Sequence, residues 1–297
     1  MIEVKNLVKR YGDFAAVDDI SFTIPKGQTF GLLGPNGAGK TTTIHTILGV
    51  HKPETGSVSI NGQPDPTQPA LRKLIGAAPQ ALALYEELTG EENVRFFGQL
   101  YGLSGKTLKK RVEESLEFVG LLERRSDRAH SYSGGMKRRL NMACALVHDP
   151  EVIVLDEPTV GVDPQSRNSL FDNIEELKRR GRTILYTTHY MEEAQRLCEQ
   201  VAIMDRGKLL AVDTVDNLID GHGGVSVVEL ELETIPENFD PFPGQLHDRT
   251  LRIETEAPLQ EIARLIESGL RFSKFKVEGA NLETVFLNLT GRSLRDT

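Results

Sequence analysis

The sequence contains little cysteine and has no long apolar run. Its only cysteines, Cys144 and Cys198, stand far apart, so we expect neither a disulfide framework nor a cysteine-based zinc site. No stretch approaches the roughly 18 consecutive apolar residues of a membrane-spanning helix. Residues 1–5 also lack the apolar region of a signal peptide. These absences disfavour a membrane-spanning protein and a secreted, disulfide-rich one, and they leave open a protein that works beside a membrane.

An excess of positive charge is also missing. The chain has 35 Lys and Arg residues against 43 Asp and Glu residues, a formal net charge of −8. Proteins that mainly bind nucleic acid are usually basic, so no nucleic-acid partner is expected. Apolar residues at 39% and charged residues at 26% are ordinary for a folded globular protein. A length of 297 residues predicts two domains at about 150 residues each.

The first two thirds of the chain have the pattern of an α/β domain. Residues 152–155 and 183–186 are continuous β-branched and aliphatic runs, which are typical of strands buried on both faces of a parallel sheet. Residues 86–148 instead show apolar side chains at helical spacing, so this stretch is interpreted as a helical insertion.

The composition changes near residue 220. The run Gly221-His222-Gly223-Gly224 is interpreted as a linker. Strand-like alternation follows it at residues 228–233, and a helix-like pattern follows at residues 259–266. The sequence therefore predicts a main domain over residues 1–220 and a small α+β domain, of the order ββαβα, over residues 221–297.

A glycine-rich loop forms the first motif with a chemical meaning. Residues 34–41 fit the pattern G-x-x-x-x-G-K-[ST] between a predicted strand and a predicted helix. Glycines allow successive backbone N–H groups to surround phosphate oxygens, and the helix N-terminus adds a partial positive charge. Lys40 would bind the β- and γ-phosphates, Thr41 would ligate Mg²⁺, and Thr42 would reach the α-phosphate. A chance match to this pattern in such a context is rare.

Two carboxylates follow the apolar strand at residues 152–155. In open α/β sheets, ligands lie at the carboxyl ends of strands. Asp156 is therefore a candidate Mg²⁺ ligand, and Glu157 is a candidate for polarising an attacking water. His189 follows another strand at the same edge and is a candidate γ-phosphate contact. The alternative interpretation is a solvated strand end before a proline turn. It is disfavoured because a phosphate loop lies upstream in the same chain.

A second anion-binding pattern lies further from the first in sequence. Ser133 is a predicted helix N-cap, and Gly134 and Gly135 expose backbone N–H groups at the helix start. The simpler interpretation is a capped helix without a ligand. Because one phosphate loop already serves the nucleotide, a second one is best explained if it faces a nucleotide held by another copy of the chain.

These motifs, in this order, resemble those of the nucleotide-binding subunit of an ATP-binding cassette (ABC) transporter over residues 1–215. The resemblance implies a P-loop NTPase cassette with a RecA-like core, a mixed sheet and a helical subdomain. It also assigns site residues. The expected nucleotide contacts are Tyr11 against adenine, Val17, Asn36, Gly37, Ala38, Gly39, Lys40, Thr41, Thr42, Ser133, Gly134, Gly135 and Asp163. The expected catalytic residues are Glu157, His189, Lys40 and Gln80, and the expected Mg²⁺ ligands are Thr41, Gln80 and Asp156.

The resemblance implies an ATPase with ATP and Mg²⁺ as cofactors. Two cassettes would form a head-to-tail homodimer, or a pseudo-symmetric dimer, that closes on ATP and drives polytopic transmembrane permease subunits. The chain would be peripheral at the cytoplasmic face of the cell membrane and soluble when isolated. Three features are similar to exporters of the drug-resistance, antibiotic-export and nodulation-factor group. They are Tyr132 and Met136 at the signature motif of residues 133–137, Gly161 in the motif called the D-loop at residues 161–163, and the ending at residues 281–292.

Two other classes of function were weighed. Soluble ABC proteins of translation or DNA repair usually carry two cassettes, a long coiled coil or zinc-binding cysteines, and these features are not found in the sequence. A non-catalytic regulatory module would be expected to lack Lys40, Asp156, Glu157 or His189, and all four are present. For the C-terminal region three roles stay open: binding a regulator, aiding dimerisation, or supporting the main domain.

Overall fold

The computed structural model describes residues 1–235 and 243–291. The chain divides into two compact units, the first over Met1–Val215 and the second from Asp216 onward. The described strands are β1 (Ile2–Tyr11), β2 (Phe14–Ile24), β3 (Thr29–Leu33), β4 (Thr55–Ile60), β5 (Ile75–Ala78), β6 (Val152–Asp156), β7 (Thr183–Thr188), β8 (Gln200–Asp205), β9 (Lys208–Thr214), β10 (Ser226–Leu232), β11 (Gln245–His247), β12 (Thr250–Thr255) and β13 (Phe272–Glu278).

The described α-helices connect these strands or flank them. They are α1 (Lys40–Ile47), α2 (Pro69–Arg72), α3 (Gly90–Leu100), α4 (Gly105–Phe118), α5 (Gly134–Leu146), α6 (Pro164–Arg179), α7 (Met191–Leu197), α8 (Val215–His222), α9 (Pro258–Glu267) and α10 (Leu282–Thr290). Helices α3, α4 and α5 occupy the stretch for which the sequence predicts a helical insertion. Within the described residues, no helix has both the length and the apolar character needed to cross a bilayer.

The first unit is built on a six-stranded sheet in the order β5-β6-β7-β3-β8-β9. Its first five strands are parallel, and β9 is antiparallel to β8. Every residue of β3, β6 and β7 is buried, as expected of strands covered on both faces. The mixed sheet agrees with the α/β class that the continuous apolar runs predict.

A second sheet packs against the first. Strands β2, β1 and β4 form an antiparallel sheet, whose inward side chains share one core with β3, β6, β7, β8 and α1. Phe22 of β2 stacks on Phe30 of β3 with ring centroids 5.2 Å apart. Helix α1 contributes Ile44 and Ile47 to the same core. Because α1 is held by this core, the loop before it has a rigid support.

The second unit is an antiparallel sheet in the order β11-β12-β10-β13, with α9 beside it. Its core consists of Val228, Leu230, Leu232, Leu251, Ile253, Ile262, Leu265 and Leu270. The predicted order ββαβα lacks β11, because the three residues Gln245–His247 are too few to show alternation.

The predicted linker is wrong in part. Gly221 and His222 belong to α8, whose N–H···O=C pattern continues to a bond from Gly223 to Ile219. Gly224 then has a φ of 75°, the left-handed conformation that glycine adopts most easily after a helix. Part of the predicted domain, residues 236–242 and 292–297, lies outside the described residues, as does Arg292 at the end of the exporter-like ending.

Candidate active site

The parallel register brings three chain segments to one edge of the sheet. Leu33, the last residue of β3, pairs with Thr188 of β7, and Asp156 of β6 pairs with Thr187. The phosphate loop therefore leaves the sheet beside the strand ends that carry Asp156 and His189. These segments are distant in sequence, and only the strand order makes them neighbours.

The phosphate loop at residues 34–39 needs glycine at two positions. Gly34 has a φ of 152°, and a Cβ there would lie 2.1 Å from the carbonyl oxygen of Met204. Gly39 has a φ of 107°, and its Cβ would lie 2.3 Å from the carbonyl oxygen of Ala16. Any side chain at either position would push the loop away from β8 or β2, because both contacts are with backbone. The loop backbone is thus held close to its neighbours while its N–H groups precede α1.

Lys40, the first residue of α1, is buried at this site. Its Nζ donates hydrogen bonds to the carbonyl oxygens of Gly34 at 2.7 Å and Pro35 at 3.1 Å. The same ammonium lies 3.1 Å from Oε1 of Glu157. A buried charge needs such partners because desolvation is costly. The ammonium is therefore fixed in position inside the curve of the loop.

Asp156 has both carboxylate oxygens engaged. Its Oδ1 accepts a hydrogen bond of 2.6 Å from the hydroxyl of Thr187, and its Oδ2 accepts one of 3.2 Å from the hydroxyl of Thr41. A hydroxyl and a carboxylate at hydrogen-bond distance are the oxygen donors that Mg²⁺ prefers. No group of three or more His, Cys, Asp or Glu residues in the described part of the chain could hold a metal ion without other ligands. The pair fits a Mg²⁺ ion that also takes oxygens from phosphate and water.

Glu157 has an unusual backbone conformation and two charged or polar partners. Its φ is 46°, in the left-handed region that non-glycine residues rarely adopt. Its N–H donates to Oγ1 of Thr187 at 3.0 Å. Its Oε2 lies 2.7 Å from Nδ1 of His189, opposite the contact of Oε1 with Lys40. Because a carboxylate only accepts, the His189 ring carries its proton on Nδ1 in this arrangement.

A cleft of about 330 Å³ opens over the loop. The predicted site residues Tyr11, Asn36, Gly37, Ala38, Gly39, Lys40, Thr41, Thr42, Gln80 and Glu157 line it. Val17 does not, since it is fully buried in the core, and the neighbouring Ala16 lines the cleft in its place. Of these two residues, Ala16 faces the cleft, and the contact of Val17 with the nucleotide stays a prediction. Strand alternation explains the difference, because adjacent residues of β2 point to opposite faces.

The second predicted anion site lies away from this cleft. Ser133, Gly134, Gly135 and Asp163 are not among the residues that line it. Ser133 caps α5, with its hydroxyl accepting from the N–H of Met136 at 3.2 Å. Asp163 caps α6 through the N–H of Ser166, and this hydrogen bond lowers the pKa of the Asp163 carboxyl. Ser133 and Gly134 are exposed, so the N-terminus of α5 is accessible from outside the chain.

The structure also identifies site residues that the motif search missed. Phe14 is 65% exposed and lines the cleft with Tyr11. Thr187 joins Asp156 to the backbone of Glu157. The guanidinium of Arg138 donates to the carbonyl oxygen of Gln80. The sequence contained a signal for Phe14, since this aromatic residue directly follows the tight Gly12-Asp13 turn. Thr187 and Arg138 could be identified only from the fold.

A second cleft of about 390 Å³ lies between α4 and α6. Three arginines line it, and each is already paired with a carboxylate, namely Arg111 with Glu114, Arg180 with Glu176 and Arg182 with Asp149. A phosphate would have to compete with these pairs. The chemistry is therefore assigned to the cleft over the phosphate loop.

Comparison with known proteins identifies the family. The sequence profile of the family described as "ABC transporter" matches residues 17–160. The linearmycin resistance ATP-binding protein LnrL of Bacillus subtilis (strain 168) is 42% identical, with 100% of both chains covered. The Nod factor export ATP-binding protein I of Cupriavidus pinatubonensis is 41% identical, covering 100% of this chain and 92% of that protein.

Solved structures lead to the same family. The structure described as the ATP-binding subunit of an ABC transporter is 34% identical, with a TM-score of 0.68 over 75% of this chain and 93% of that one. The ATP-binding cassette MJ0796, in a dimeric post-hydrolysis state bound to ADP and Pi, is 25% identical, with a TM-score of 0.66 over 72% of this chain and 98% of that one. The predicted cassette fold is confirmed. The chain belongs to the ABC transporter family, in which it is an ATP-binding and ATP-hydrolysing subunit.

Proposed function

We propose that this subunit powers export through separate transmembrane subunits by closing and opening as a head-to-tail dimer on Mg²⁺-ATP. One observation carries the proposal: the Glu157 carboxylate lies between Lys40 and His189 at a phosphate-loop cleft. This arrangement combines a group that holds phosphate, a group that accepts a proton and a group that stabilises charge. Those are the parts that phosphoryl transfer to water requires.

Phosphate binding begins at the loop. The Nζ of Lys40 contacts the carbonyl oxygens of Gly34 and Pro35 and the carboxylate of Glu157. The β- and γ-phosphates of ATP would take over this ammonium, because a polyphosphate carries more charge than the partners it replaces. That exchange releases Oε1 of Glu157. The carboxylate then becomes free to accept a hydrogen bond from water.

We assign the activation of the attacking water to Glu157. Its carboxylate would orient the water in line with the γ-phosphate and accept a proton during the attack. The His189 ring would contact the phosphate and stabilise the charge that develops on it. Thr41, Asp156 and Gln80 would hold a Mg²⁺ ion, which neutralises charge between the β- and γ-phosphates when bound.

The second half of the site would come from another copy. The exposed N-terminus of α5, with Ser133 and Gly134, lies outside the cleft of its own chain. A two-fold dimer would place it against the γ-phosphate held by the partner, with Asp163 at the same interface. Intact ATP would then bridge both copies, and hydrolysis would remove the bridge. The dimeric solved cassettes support this arrangement.

The names of the relatives support the export direction. Those relatives are named for linearmycin resistance and for Nod factor export. Permease subunits would dock on the loop at residues 80–88 and on the helices beside it, where Leu82 and Tyr85 are exposed. The chain would then sit at the cytoplasmic face of the membrane. Co-purification of the intact subunit with a polytopic membrane protein tests this part of the proposal.

The catalytic part is tested by Glu157→Gln. We expect ATPase activity to fall by about 10²-fold or more, since the amide cannot accept the proton. ATP binding persists and a dimer accumulates, because Lys40 and the loop are intact. Phosphate release, equilibrium ATP binding and light scattering with ATP measure the three outcomes. Glu151→Gln, at a half-buried position just before the same strand, is the matched control. Rapid turnover in Glu157→Gln would remove Glu157 from its role.

A further inference from the structure

A buried carboxylate lies behind the catalytic loops. Glu193 on α7 is 3% exposed. Its Oε2 accepts three hydrogen bonds, from the hydroxyls of Thr159 at 3.0 Å, Tyr186 at 2.8 Å and Thr188 at 2.8 Å. A buried carboxylate needs donors of this kind, because leaving its oxygens unpaired away from water is costly. Replacing any donor would leave part of a buried polar network unsatisfied.

The three donors come from the segments that carry the catalytic groups. Thr159 follows Glu157 by two residues, and Thr188 immediately precedes His189. The hydroxyl of Thr188 also accepts from the N–H of Tyr190 at 2.9 Å, so the residues on both sides of His189 are tied to this centre. Burial, together with the nearby Glu193 charge, raises the pKa of Tyr186 well above its usual value, so the phenol remains a donor.

The second oxygen of Glu193 lies near α6, the helix that follows Asp163. Its Oε1 lies 3.8 Å from Nε of Arg167 on α6, and both atoms are buried without a hydrogen-bond partner. Arg167 donates its backbone N–H to the carbonyl oxygen of Asp163. Its guanidinium also lies over the ring of Tyr190, 5.5 Å from the centroid. A shift of about 1 Å would complete a charge-assisted hydrogen bond, whose usual N···O distance is about 2.8 Å.

We propose that Glu193 is a positioning residue that holds the loops of Glu157 and His189 in register, and that its contact with Arg167 couples them to the Asp163 segment. This inference rests on the proposed roles of Glu157 and His189. Glu193 does not line the cleft and touches no reacting atom. Its contribution is to keep the His189 ring at the Glu157 carboxylate and to transmit movement of α6 to that pair.

The test compares Glu193→Gln and Arg167→Gln with the wild type. An amide of the same shape keeps most of the packing but loses the charge that attracts three hydroxyls and a guanidinium. We expect kcat to fall about tenfold in each variant while KM and equilibrium ATP binding stay within about twofold, because the phosphate loop is untouched. The double variant should be no slower than Glu193→Gln alone, since coupled residues are non-additive. Glu192→Gln, exposed on the same helix turn, is the matched control.

Several outcomes would overturn the inference. One is a wild-type kcat in Glu193→Gln. Another is a Glu193→Gln variant that loses ATP binding and thermal stability in parallel while Arg167→Gln keeps a wild-type kcat. Arg167→Gln is informative here because its side chain is half-exposed and its replacement leaves folding intact. Glu157→Gln in the same assay separates the two proposals. Rapid turnover there contradicts the catalytic assignment, whereas an inactive Glu157→Gln beside a fully active Glu193→Gln contradicts the positioning role alone.

Discussion

A few buried polar residues at the candidate site have several partners each. Glu157 bonds through its backbone to Thr187 and through its carboxylate to Lys40 and His189. Its left-handed φ of 46° turns the carboxylate out of the line of β6. Such a conformation is costly for a glutamate and persists where the surroundings hold it in place. Here the two hydrogen bonds to Thr187 and the buried ion pair hold it.

A residue outside the site sets part of the pH dependence of stability. Burial, with a contribution from Arg111, lowers the pKa of His148 from 6.5 to about 4. Its ring stacks on Tyr101 with centroids 3.5 Å apart, and its Nε2 lies 3.0 Å from the carbonyl oxygen of Ile75. The folded state therefore prefers the neutral ring. The unfolded chain binds the proton more readily.

The consequence is a loss of stability in acid. Between pH 6.5 and about 4, the unfolded state binds a proton at His148 that the folded state does not bind. The stability that the neutral ring contributes is therefore complete above pH 6.5 and is lost as the pH falls toward 4. We expect about 3 kcal/mol from this group, since one pKa unit corresponds to about 1.4 kcal/mol. His148→Phe keeps the stack and cannot titrate. Urea unfolding between pH 7 and about 4.5 should show a smaller loss in the variant, and an unchanged pH slope would contradict the role of His148.

At the scale of elements, the packing of α5 against α6 explains the two signature glycines differently. A Cβ on Gly135 would lie 2.1 Å from Oγ and 2.3 Å from Cβ of Ser166. A Cβ on Gly134 would meet only the carbonyl oxygen of Gly161 at 3.8 Å. Gly135 is therefore required for the two helices to approach, whereas Gly134 leaves the helix end open to a ligand.

This difference makes a matched pair of variants. Gly135→Ala should destabilise the fold by about 1 to 3 kcal/mol, because the clash includes Cβ of Ser166, which a change of rotamer cannot move. Gly134→Ala should be neutral or slightly stabilising, since alanine favours a helix. Thermal or urea unfolding measures both. Equal losses in the two variants would show that helix packing does not explain Gly135.

The unusual Tyr132 of the signature has a structural explanation as well. The buried phenol donates to the carbonyl oxygen of Arg124 at 2.6 Å. It approaches α3 where Gly90 has no side chain, since a Cβ there would lie 2.4 Å from the phenol oxygen. Tyr132 thus adds a hydrogen bond inside the helical region beside the exposed Ser133.

At the scale of the whole molecule, the division between the two anion sites has a direct test. Ser133→Arg in the Glu157→Gln background should bind ATP as an isolated subunit, because Ser133 does not line the cleft. It should fail to form the ATP-dependent dimer, because the added charge and bulk stand at the proposed contact. Lys40→Ala should instead lose ATP affinity. If Ser133→Arg weakens ATP binding as much as Lys40→Ala does, the two sites belong to one chain.

Some of this protein can be derived from its sequence alone. The glycine pattern at residues 34–41, the carboxylates after a buried strand and the alternation in the C-terminal region each report local backbone geometry or one-sided burial. Those properties depend on residues close together in the chain. The phosphate loop and the class of fold were therefore predictable from local patterns, and the cassette family from the resemblance of the ordered motifs.

Only the tertiary structure decided which residues meet. It placed Ala16 rather than Val17 at the cleft, joined Thr187 to Asp156 and gathered three hydroxyls on Glu193. These contacts join residues of different strands and helices, or depend on which face of a strand is buried. The packing of strands and helices sets these contacts and the buried face, and no local pattern encodes that packing. The sequence determined the chemical groups, and the fold determined their partners.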